Sequence, residues 1–127
     1  MRGISYWFFF VAALSVTIGM IGGIAMAIAQ DHTLSPAHAH LNLVGWVTMG
    51  LFGLYYHMVP EAGARRLAKI HFAVATIGLL LLAPGIALAL VYDFEGLAAL
   101  GSLITLASML IFLFTVIRDG RMRRLAI

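Results

Sequence analysis

From Ile4 to Ala29 the chain runs about 26 residues without a charged side chain. That exceeds the roughly 20 residues needed to cross a bilayer and outruns the apolar core of a secretory signal peptide, so it predicts a retained first membrane span. Tyr6 and Trp7 suit an interfacial aromatic belt, and Gly19 and Gly23 have the GxxxG spacing that lets helices approach closely. Three more apolar runs, over about 37–59, 67–91 and 97–117, are separated by short polar turns. The expectation is a single domain, residues 1–127: an all-α integral membrane four-helix bundle.

Composition agrees. Charged residues make up 10% of the 127 and hydrophobic ones 63%, with mean hydropathy +1.04, whereas a soluble domain carries roughly 25% charged residues. The net charge of +3 is no sign of a nucleic-acid partner, because the cations have a topological use. Arg2, the group Arg65, Arg66 and Lys69, and Arg118, Arg121, Arg123 and Arg124 all fall on one side of a four-span hairpin pair; the other two loops have neither Lys nor Arg. The positive-inside rule then predicts both ends in the cytoplasm, and a multi-pass protein of the cell inner membrane. With no cysteine, disulfides and thiolate metal sites are excluded.

The chemistry concentrates at Ser35-Pro36-Ala37-His38-Ala39-His40-Leu41-Asn42. Ser35 is read as the N-cap of the second span, Pro36 as its first residue, and Pro60 as its end. Residues two apart on an α-helix differ by about 200° around the axis, so His38 and His40 point to nearly opposite flanks at almost the same height. Two rings so placed cannot chelate one zinc ion, which needs three or four converging ligands. Each can give an axial nitrogen to a haem iron lying in an apolar slot between helices. Gly45, Gly50 and Gly53 are expected to leave room for a flat ring, or else to serve ordinary helix packing. Asn42 and Thr48 are candidates to orient a ligand histidine, or equally to bond another helix. Any haem would be noncovalent, of b type or a derivative.

The run Pro36-Ala37-His38-Ala39-His40-Leu41, continuing through Thr48-Met49-Gly50 and Gly53-Leu54-Tyr55-Tyr56 to Pro60, resembles the tenth transmembrane helix of haem-copper oxidase subunit I, with the cbb3, ba3 and nitric-oxide-reductase branches nearest. The resemblance covers the second span and reaches loosely into the third. It implies that His38 holds a high-spin haem and His40 a low-spin one; Asn42 and Gly45, on the same helix, are read as cofactor-binding residues beside them. The family has about twelve spans, a further copper-ligating histidine triad and arginines beside the haem propionates; this chain has none of these. Gln30, Thr33, Tyr92 and water are the expected substitutes for the arginines. Twelve is three times four, so a homotrimer is expected, each haem lying between neighbours and bound by His38 of one protomer and His40 of the next.

The remaining histidines carry less. His57 and His71, near the inner interface, are read as headgroup anchors, since about 25 Å of helix separates His40 from His57. His32 is read as solvated, and Trp46 as packing against lipid or a haem edge. Pro84-Gly85 is expected to kink or break the third span. Function is expected to be electron transport with a respiratory redox partner, or O2 or NO redox chemistry. The alternatives are a haem-free assembly or interaction subunit of a respiratory complex, and a gas or haem sensing or handling protein. Small multidrug exporters are disfavoured, because the first span, Ile4 to Ala29, lacks the acidic residue that their proton coupling needs.

Overall fold

The computed structural model describes residues 1–125 and side chains up to Met122, so the side chains of Arg123 and Arg124 from the expected inner-face cluster lie outside the described residues. All regular structure among the described residues is helical. The elements are α1 (Ile4–Ala29), α2 (Ser35–His40), a π-helical segment (Leu41–Thr48), α3 (Met49–Met58), α4 (Pro60–Gly63), α5 (Arg66–Tyr92) and α6 (Gly96–Leu125). Three helices, α1, α5 and α6 as far as Met122, are long and apolar enough to cross a membrane. The chain is a multi-pass membrane protein.

The region expected as the second span is helical from Ser35 to Met58, but its hydrogen bonding changes from α to π and back to α. Two details at its ends differ from expectation. Ser35 is the first helical residue rather than the cap, and Leu34 at the cap position makes no side-chain bond. The turn before it is held instead by Asp31, whose carboxylate accepts the Thr33 hydroxyl at 2.6 Å and the Thr33 N–H at 3.0 Å. At the other end Val59, forced out of helical geometry by the Pro60 ring, has φ −124° and ψ 74° and closes α3.

Pro84 does not break α5, which runs unbroken from Arg66 to Tyr92. Pro84 gives no N–H to the Leu80 carbonyl, yet the packing of α5 on α6 holds the helix together across the gap. These two helices touch backbone to backbone. A Cβ on Gly85 would come within 2.6 Å of the Ala98 nitrogen, and one on Gly101 within 2.5 Å of the Leu82 nitrogen. Lipid tails are as apolar as leucine, so such close approach, rather than hydrophobic segregation, holds membrane helices together.

The second contact surface joins α1 to the Ser35–Met58 rod. Gly45 sits against Ser15, Gly50 against Ala12, and Gly53 against Phe8 and the Ser5 carbonyl. Below them Phe8, Phe52, Tyr56, Phe72 and Phe112 build an aromatic core around His71.

Candidate functional site

His38 and His40 lie in the α-helical segment α2 and project differently, as their spacing requires. His38 is half-buried and faces α1, where Gly22 and Gly23 make space for its ring: a Cβ on Gly23 would lie 3.2 Å from its Cε1. The expected GxxxG pair therefore seats polar side chains, for the other member, Gly19, lies directly against the Asn42 amide. His40 is exposed on the far flank. The two rings do not converge, and no group of three or more His, Cys, Asp or Glu among the described residues is placed to hold a metal ion.

Hydrogen bonding separates the two imidazoles further. His40 Nδ1 lies 2.8 Å from the Pro36 carbonyl oxygen, which can only accept, so Nδ1 carries the proton. In the neutral ring this leaves the Nε2 lone pair bare and pointing away from the helix, the orientation that a backbone carbonyl imposes on metal-ligating histidines. His38 Nε2 is instead 3.0 Å from Asn42 Nδ2, which donates to it. Asn42 Oδ1 is then buried with no partner. Turning the amide over merely moves the orphan to its nitrogen, so the pair is incompletely satisfied either way.

His38 lies at the end of a cleft of about 550 Å3 between α1 and α5, lined among others by Ser15, Gly19, Thr76, Leu79 and Pro84. Its walls are almost wholly apolar, and the Thr76 hydroxyl, buried, has no partner. His38 is the one imidazole among the cleft's lining residues, and its Nε2 is held by Asn42.

The space expected beside Gly45, Gly50 and Gly53 is taken by α1, so these glycines admit a helix and not a ring. Thr48 bonds its own helix, its hydroxyl donating to the Leu43 carbonyl at 3.0 Å. Trp46 is half-buried, edge-on to Phe9 with centroids 6.1 Å apart. Around the outer turns His32, Thr33, Tyr92, Asp93 and Glu95 are exposed, and Gln30 donates to the Ala27 carbonyl. The Thr33 hydroxyl, and after it the Thr33 N–H, hold the Asp31 carboxyl below its usual range.

His57 is exposed. The headgroup role expected for His71 is corrected: its ring is 0% exposed. Tyr56 Oη lies 2.8 Å from Nδ1, Ser108 Oγ lies 3.1 Å from Nε2, and the Phe52 ring centre is 4.5 Å away. Closer to the helix ends, Asp119 is nearly enclosed and receives Arg65 Nη1 at 2.5 Å and Tyr55 Oη at 3.0 Å. Sequence reasoning missed Ser108, Asp119 and the enclosure of His71. The signal for His71 was its phase, since Ala68, His71, Ala75, Gly78, Leu82 and Gly85 recur at alternating spacings of three and four along the buried side of α5.

Over 49 residues the chain is 51% identical to the heme-copper oxidase subunit I+III of Aeropyrum pernix, a match covering 35% of this chain. The likeness is to a haem-copper oxidase. It supports a relation to that family, although the chain corresponds to only 6% of that relative's length. No protein-family model matches the chain, and no solved structure matches it.

Proposed function

We propose that the chain is a membrane-embedded b-type haem protein related to haem-copper oxidase subunit I, with His38 and His40 as iron ligands, serving electron transfer or O2/NO redox chemistry. One observation carries this reading: the same short helix presents a bare, carbonyl-oriented His40 Nε2 on one flank and places His38 at the end of an apolar cleft on the other. The partial match to an oxidase supports it. Haem b, if held by these residues, would supply one-electron redox chemistry and a place for a diatomic gas.

The chain's own residues set the conditions. Pro36 fixes the tautomer and direction of His40. Leu79, Leu80 and Ala83 give the slot beside His38 an apolar wall. Asn42 must swing off His38 Nε2 before that nitrogen can bind a metal, which makes His40 the ready ligand and His38 the conditional one. Because His40 faces outward, a second copy is what would enclose it. A closed ring of three protomers, in which His38 of one and His40 of the next would hold the same haem, repeats that contact without a free edge. The cation-rich side of the bundle is assigned to the cytoplasm, in the inner membrane.

The decisive experiment is a pyridine haemochrome spectrum of the purified protein beside His38→Ala, His40→Ala and His57→Ala. Loss or alteration of the haem is expected in the first two variants and not in the third. A wild-type protein that is a haem-free monomer in mild detergent overturns the reading. The bond between His38 and Asn42 favours one alternative, a haem-free interaction subunit in which the motif packs helices; stoichiometric haem in the wild type excludes it.

A further inference from the structure

The last turns of α6 separate their charges by side. Asp119 turns inward to Arg65 and Tyr55. Arg118 and Arg121, three residues apart and so on one side of the helix, are exposed and have no acidic partner among the described residues. Between them lies a shallow notch of about 250 Å3 whose floor is Phe114, Ile117 and Met122. The notch continues into lipid-facing side chains up the helix, where Leu110, Leu113 and Phe114 are all about half exposed.

A pair of guanidinium groups above an apolar trough that runs along a membrane-spanning helix matches one ligand chemistry: a phosphate carrying hydrocarbon chains. Guanidinium forks bind phosphate oxygens in pairs, and the trough gives an acyl chain a bed continuous with the bilayer. We propose that Arg118, Arg121, Phe114, Ile117 and Met122 form a binding site for one anionic phospholipid. Its headgroup rests between the arginines, and one chain lies along the exposed strip of α6. The site is independent of the histidine chemistry, and its occupant ties the end of α6 to the level of the headgroups.

The test is native mass spectrometry of delipidated protein given dioleoyl phosphatidylglycerol or dioleoyl phosphatidylcholine. Wild type is expected to retain one phosphatidylglycerol in preference to phosphatidylcholine. Arg118→Gln and Arg121→Gln should each weaken retention about fivefold, the effect of one cation near an anionic lipid surface. Lys69→Gln, which alters an exposed cation elsewhere, should leave the preference intact. The proposal is overturned if the double arginine variant keeps the preference, or if Lys69→Gln removes it equally. It is overturned as well if glycerol phosphate, which has no chains, displaces the lipid at equal concentration. The substituted side chains are exposed, so helicity by circular dichroism should match wild type.

Discussion

The enclosure of His71 makes a quantitative prediction. Replacing it with alanine removes two hydrogen bonds that cross between helices, to Tyr56 and to Ser108, and empties a ring-sized space among Phe8, Phe52 and Phe112. Interhelical hydrogen bonds in membrane proteins contribute about 0.6 kcal/mol on average and up to about 1.7, so the two together account for roughly 1–3. The cavity adds about 2 kcal/mol, low in the range for large-to-small substitutions because burial from lipid brings no transfer gain and only packing is lost. His71→Ala should therefore destabilise by about 4 kcal/mol. His71→Phe, which keeps a ring but bonds neither partner, should cost about 2. His57→Ala should stay within about 0.5, the usual result at an exposed position. Reversible unfolding in mixed micelles, followed by circular dichroism, measures all three. An alanine variant within 0.5 kcal/mol of wild type would refute the argument, since no ring bonded at both nitrogens inside a packed core can be removed that cheaply.

Two other outcomes follow from single contacts. Gly19→Ala places a methyl group where the Asn42 amide oxygen now lies, so the amide must leave His38; imidazole NMR shifts should change for His38 and stay constant for His40, and no change at His38 would mean that the amide is not seated on Gly19. Arg65→Gln and Asp119→Asn should each cost about 2 kcal/mol, between the values for exposed and buried ion pairs, because the arginine side chain is 23% exposed and the aspartate 6%. The double variant should cost clearly less than the sum of the two, and simple additivity would show that the pair does not interact.

Where the helices begin was legible from run length and charge, and α1 ends where the uncharged run ends, but α6, expected to stop near 117, continues through its charged turns to Leu125. Which way each helix faces was not legible, because helices apolar on every side leave little amphipathic contrast to read. His71 shows the consequence. Its place near the end of a span suggests an interfacial residue, and only the recurrence of Ala, Gly and Leu at its helical phase points inward. At the site, the splay of His38 and His40 followed from spacing alone, since both lie within one short α-helical stretch. The bond between His38 and Asn42 did not, although the two residues stand four apart; nothing local reveals whether an amide will prefer a ring nitrogen to a neighbouring helix.

Against α1, the contacts of the Ser35–Met58 rod descend through His38 on Gly23, Asn42 on Gly19, Gly45 on Ser15, Gly50 on Ala12 and Gly53 on Phe8. The steps along the rod are four, three, five and three residues. Four and three are neighbour spacings on an α-helix, but five is not. The five-residue step lies across the π segment, where the Thr48 hydroxyl reaches the carbonyl five residues back, and the wider turn is what returns Gly50 and Gly53 to α1. Deleting Val47, exposed within that turn, shortens the step to four. The rod can then be α-helical throughout with every contact against α1 retained, so the variant should fold, keep Tyr56 bonded to His71, and unfold within about 1 kcal/mol of wild type. Deleting Leu51, also exposed but in α-helical α3, should turn everything after it by about 100° and dissolve the aromatic core. If the Val47 deletion is as destructive as the Leu51 deletion, the wide turn does not set the register of this helix.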